Sequence, residues 1–156
     1  MITFRSTSLD DSTTSTFPVL QDITHLAFVN QKFTSASVLG RFTSLQEMKF
    51  FQTPVIDDMI RQLTGCRATL ESLELCDTNV TLEGLSLLRD FPKRHTVACL
   101  RSPSTKEGIC ELAAIPSLRR LVVDQRVFSK KLTREVQMIN PQVMLSMRES
   151  HLRGDH

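Results

Sequence analysis

The chain has 156 residues, and its 19 basic against 17 acidic side chains leave a formal net charge of +2. So small an excess argues against a polybasic face built for phosphate, which needs clustered positive charge. Trp and Tyr are absent and all nine aromatics are Phe, a set better suited to filling a core than to stacking on bases.

The opening stretch MITFRSTSLDDSTTST is polar and rich in hydroxyls. No apolar run precedes a cleavage site, so no secretory leader is read there. Nowhere does the sequence approach the ~20 apolar residues a membrane helix needs. The expected location is intracellular and cytoplasmic, with a nucleus or organelle interior as alternatives, and no membrane contact. Four cysteines stand at 66, 76, 99 and 110. None forms a Cys-x-x-Cys pair, so neither a zinc site nor a thioredoxin-like motif is indicated, and the thiols are expected to be reduced.

Along the chain a short apolar phrase returns. It reads ITHLAFVNQKF at 23–33, LQEMKFFQTPV at 45–55, LESLELCDTNV at 70–80 and LRRLVVDQRVF at 118–128. Its fourth position falls at Ile2, Leu26, Met48, Leu73, Val97, Leu121 and Leu145, in steps of 22 to 25. The sixth is apolar throughout: Phe4, Phe28, Phe50, Leu75, Cys99, Val123 and Met147. Alternate residues of a strand face the same way, so both columns are expected to point into one core. The eleventh position gives Leu9, Phe33, Val55, Val80, Ser104 and Phe128, which mostly close the turn after each strand.

A helical pattern follows, clearest in VTLEGLSLLRDF (80–91) and STKEGICELAAI (104–115). Leu85 and Leu88, then Ile109 and Leu112, recur three apart, as one helical face requires. Thr81 and Thr105 precede Gly84 and Gly108 by three and are expected to cap these helices. Pro92 and Pro116 stop them. Asp57 and Asp58, like Asp10 and Asp11, fall at turns where a helix N-terminus favours acid groups. Each unit is thus strand, turn, short helix and loop, and neither half buries its apolar side without neighbours.

The phrase fits L-x-x-L-x-L-x-x-[N/C/T]-x-L, and the chain resembles the leucine-rich-repeat superfamily over nearly all its length. Thr78-Asn79-Val80-Thr81-Leu82-Glu83-Gly84-Leu85 and Leu63-Thr64-Gly65-Cys66 are similar to the turn and helix end of the cysteine-containing (F-box and ribonuclease-inhibitor-like) subclass. The resemblance implies an α/β solenoid of about seven repeats, with a curved parallel β-sheet on the concave face and short helices on the convex face. It places that domain at 1–147 and a tail at 148–156. At the ninth position Thr53, Thr78 and Ser102 stand where Asn or Cys is usual, and a hydroxyl still bonds the turn backbone.

Two departures stand out. The fifth unit has Arg94 at the first position and Ser104 at the eleventh, which reads as a degenerate repeat or a loose segment. The array also opens inside a unit at Met1 without a polar cap. Uncapped strands invite pairing, so a longer natural form, self-association or burial in a larger complex is expected.

Positions three, five and seven of each strand face away from the core. Position seven reads Arg5, Val29, Phe51, Cys76, Leu100, Asp124 and Arg148; position five adds Ala27, Ala98 and Val122, broken by Lys49 and Glu74. An apolar centre with a charged rim is the anatomy of a protein–protein site. Val29, Phe51, Cys76, Leu100 and Val122 are the expected centre, with Arg120, Asp124 and Arg148 on the rim. Leu100→Ala should then cost far less stability than Leu73→Ala.

Catalysis is not expected. The histidines 25, 95, 151 and 156 have no Cys, Asp or Glu at metal-ligand spacing, and five glycines include no phosphate loop. Neither cofactor nor metal is expected. Arg153-Gly154-Asp155 spells the tripeptide associated with integrin binding, without a secretion signal to support it. The expected function is a non-catalytic module that binds a protein partner through its concave sheet, within a larger assembly. The resemblance also implies an alternative, the substrate-recognition (F-box-type) component of a ubiquitin ligase, though 1–22 are too few for the helical adaptor segment that role needs. Inhibition of an enzyme by covering its active site is a third reading.

Overall fold

Strands form wherever the apolar residues alternate. β1 (Ile2–Arg5), β3 (His25–Val29), β5 (Glu47–Phe51), β6 (Ser72–Cys76), β7 (Thr96–Leu100), β8 (Arg120–Asp124) and β9 (Met144–Arg148) build one seven-stranded open sheet. All its pairings are parallel, and the strands lie side by side in chain order. Two short strands, β2 (Ser8–Leu9) and β4 (Lys32–Phe33), pair separately. This computed structural model describes residues 2–5, 8–9, 21–33, 37–55, 57–93, 96–101 and 105–149. Asp10, Asp11, Arg94, His95, Ser102, Ser104 and the segment 150–156 with its Arg-Gly-Asp lie outside the described residues.

The register follows the columns read from the sequence. Ile2, Leu26, Met48, Leu73, Val97, Leu121 and Leu145 are successive Cα partners across the sheet. Between the later strands lie α1 (Asp57–Gln62), α2 (Leu82–Ser86), α3 (Lys106–Ala113) and α4 (Lys130–Ile139), with 3-10 turns at Ser37–Arg41, Leu63–Cys66 and Leu87–Asp90. Met59, Leu85, Ile109, Leu112, Leu132 and Val136 from the helices join the fourth- and sixth-position strand residues in one core. Within it the rings of Phe28 and Phe50 stack with centroids 5.5 Å apart. The described chain is therefore α/β, a parallel sheet with helices packed on one side.

The local chemistry explains why the units repeat. Thr81 Oγ1 accepts from the Gly84 amide at 3.4 Å, and Thr105 Oγ1 from that of Gly108 at 3.2 Å, so both hydroxyls cap as expected. Ser129 Oγ does the same for the Leu132 amide at 3.1 Å. Asp57 links two units: its carboxylate accepts from the Thr81 amide at 2.9 Å and the Thr81 hydroxyl at 2.5 Å. Thr53, fully buried, donates to the Phe51 carbonyl at 3.0 Å and accepts from the Gln31 amide at 3.4 Å. The hydroxyl thus satisfies turn backbone that water cannot reach. At Gly65 a Cβ would sit 2.3 Å from the Gly40 carbonyl oxygen, so two backbones meet where no side chain fits.

Candidate partner-binding face

Period-two alternation turns the odd positions to the sheet face away from the helices. The register places Val29 beside Phe51, Phe51 beside Cys76 and Cys76 beside Leu100. Val122 lies next to Ala98, and Asp124 next to Arg148. With Arg120, which opens the same strand as Val122 and Asp124, all eight residues expected at the partner site share this face.

Their burial differs from the expectation. Cys76, Ala98, Leu100 and Val122, with Phe51 against them, form a second apolar cluster that no residue of the four helices joins. Leu100 is 3% exposed and Cys76 7%. The expected solvated apolar strip is a small core of its own, with Phe51 half-buried at its edge; Val29 is half-buried and is not part of the cluster. Arg120 and Arg148 are exposed, whereas Asp124 is buried.

Ion pairs also link residues of these strands and of the turns that follow them. Asp124 holds the turn after β8, its carboxylate accepting from the Arg126 amide and Arg126 Nε, each at 3.0 Å. Asp124 is thus engaged by Arg126, a residue outside the repeat columns. Arg101 reaches Asp77 at 2.7 Å, and Lys49 reaches Glu47 at 2.8 Å with His25 3.7 Å from the same carboxylate. The longest reach joins Arg148 on β9 to Glu74 on β6, across β7 and β8. In the sequence Glu74 only breaks the apolar run, yet it is the buried carboxylate at the centre of the face, its side chain 8% exposed.

A repeated backbone feature places Asp77 and Arg101. Asn30, Gln52, Asp77 and Arg101 each follow a strand with φ between 48° and 54°. This left-handed residue turns the chain off the sheet. Its amide still extends the ladder: Asn30 donates to Phe51, Gln52 to Cys76 and Asp77 to Leu100, at 2.8 to 2.9 Å. The sequence signal was the polar residue one place beyond each apolar strand end.

Other chemistry is sparse. Among the described residues no group of three or more His, Cys, Asp or Glu could hold a metal ion. No helix among them is long and apolar enough to cross a membrane. All four cysteines are free thiols. Burial pushes Cys66 up to about 11, and it pushes Cys110 and Cys76 upward as well, opposed at Cys76 by the Arg101 guanidinium. On the helix side, Cys110, Met138 and Ile139 line a cavity of about 430 Å³ between α3 and α4, rimmed by the Lys106–Glu135 pair at 2.9 Å. No protein-family model matches the chain, and no curated protein sequence matches it either.

Proposed function

We propose that the chain is a leucine-rich-repeat solenoid acting as a non-catalytic protein-binding module, with the sheet face opposite the helices as its docking surface. The observation that carries this reading is the one-sided sheet. All-parallel sheets are usually covered on both faces, because their strands are apolar on both. Here the described helices sit on one face, and the other carries an apolar cluster together with charged side chains, among them the Glu74–Arg148 pair. Such a face is suited to another chain's side chains.

Two features support the solenoid. Neighbouring strands are successive units at a near-constant step, the one-dimensional stacking in which each unit contacts its neighbours. The Arg148–Glu74 pair also spans three strand spacings, about 14 Å on a flat sheet. Side chains rise roughly perpendicular to a sheet, so the two groups meet far more readily if the strands curl toward this face.

The test is capture of partners from native lysate by wild type and by Phe51→Asp, with folding of the variant checked by circular dichroism. Phe51 is the suitable position because it is half-buried, whereas an acid at Leu100 would strike a closed core. A partner set lost on Phe51→Asp supports the sheet face. An unchanged set on a folded variant rejects it.

A further inference from the structure

We infer that Glu74 is the anchor for a basic side chain of the protein partner, and that Arg148 occupies that place in the free chain. The inference rests on the sheet-face reading and names the chemistry of what docks there.

The two members of the pair are unequally exposed. The Glu74 side chain is 8% exposed, while that of Arg148 is 52% exposed. The carboxylate is thus fixed and desolvated, and its counter-charge arrives from the exposed edge strand three positions away in the sheet. Breaking a buried ion pair by removing one partner is strongly unfavourable, so a cation beside Glu74 is favoured. Lys49 is Glu74's neighbour in β5, but its ammonium lies 2.8 Å from Glu47. Around Glu74 the floor is apolar: Cys76, Ala98, Leu100 and Val122, with Phe51 at the edge. A carboxylate on an apolar floor suits a long side chain with an aliphatic stem and a cationic head.

Arg148 has that shape, and so would an arginine or lysine of a bound segment. Because the Arg148 side chain is half exposed, a segment arriving from solvent can reach and displace it, and Glu74 then exchanges one cation for another. The preferred occupant is an extended protein segment with a basic residue flanked by apolar ones, which cover the floor that the Arg148 stem now crosses. Arg148 acts as an internal competitor, and it lowers apparent affinity in proportion to the time it holds the site.

A phage-displayed library of random 12-residue peptides, selected on immobilised wild type, Arg148→Ala, Glu74→Gln and Phe51→Asp, tests this. Selected sequences should be enriched in Arg or Lys beside apolar residues. A selected peptide should bind Arg148→Ala about tenfold more tightly than wild type and lose binding on Glu74→Gln. Glu74→Gln keeps the shape of the site, and wild type needs no substitution, so unfolding of Arg148→Ala would not spare the inference. Peptides without basic enrichment, or with enrichment that survives Glu74→Gln, overturn it. If such peptides still require Phe51, the sheet-face reading stands without the anchor. No selection on wild type or on Arg148→Ala overturns both.

Discussion

The same strands carry two unlike faces. Toward the helices, Leu73, Leu75, Val97 and Cys99 join a core that runs through every sheet strand from β3 to β9. Away from them, Cys76, Ala98, Leu100 and Val122 are nearly as buried, yet they belong to a cluster confined to β5–β8. Burial fraction alone does not separate the faces. What separates them is the cover: helices pack on one side, and no residue of the four helices joins the cluster on the other.

Truncation on each face turns that comparison into energies. Leu73→Ala should cost about 2–5 kcal/mol, because its surroundings are held from both strand and helix and cannot collapse. Leu100→Ala should cost about 2 kcal/mol, the low end for a core leucine, since Phe51 and the ion-paired rim can settle into the space. Urea unfolding of both variants measures the difference. Equal losses would mean that the second cluster is as rigid as the first. A loss at Leu100 near zero would mean that the face is open in solution, as the sequence alone suggested.

How far the sequence was legible follows from the same residues. The columns were readable because each is set by period two within a strand and a near-constant step between strands, both local to the text. The caps at Thr81 and Thr105 were readable for the same reason. The closure of the odd face was not. It depends on Arg148 reaching Glu74, residues 74 apart in sequence, across two intervening strands. The ion pairs that Arg101 and Arg126 make with Asp77 and Asp124 were equally hidden, because the repeat pattern leaves both arginines unassigned. The degenerate start of the fifth unit concealed little: β7 keeps the register at Thr96–Leu100 although Arg94 precedes it.

A smaller effect tests the spacing between units beneath the helix-covered face. Gly65→Ala puts a methyl against the Gly40 carbonyl, a backbone group that cannot rotate away. The expected cost is about 1–3 kcal/mol, as for overpacking, against a helix-propensity gain of under 1. Thermal melts decide it, and a stabilised variant would show that the two units have room to part. Thr81→Ala should cost about 1 kcal/mol through its cap. Combined with Asp57→Ala it should cost less than the sum of the two single changes, because one hydroxyl serves both bonds.

The smallest signal compares one chemical group on the two faces. Cys76 and Cys99 occupy neighbouring strands, on the charged-rim side and the helix side respectively, and both are buried thiols. Under iodoacetamide at pH 8, followed by mass spectrometry, the half-buried Cys110 should react first. Cys66, pushed up to about 11 by burial, has roughly one thiolate in a thousand at that pH and should react only on global unfolding. The sign for stability follows. A thiol raised in the folded state favours folding fully below about pH 9, and that contribution is lost as pH rises toward 11. Cys99 should be as slow as Cys66, because exposing it requires the helices to leave. Cys76 should fall between Cys110 and Cys99, since release of Arg148 from Glu74 uncovers its face without unfolding the sheet. Arg148→Ala should then accelerate Cys76 and leave Cys99 unchanged. Acceleration of both would show that the ion pair holds the whole fold, and acceleration of neither would show that the rim does not cover the cluster.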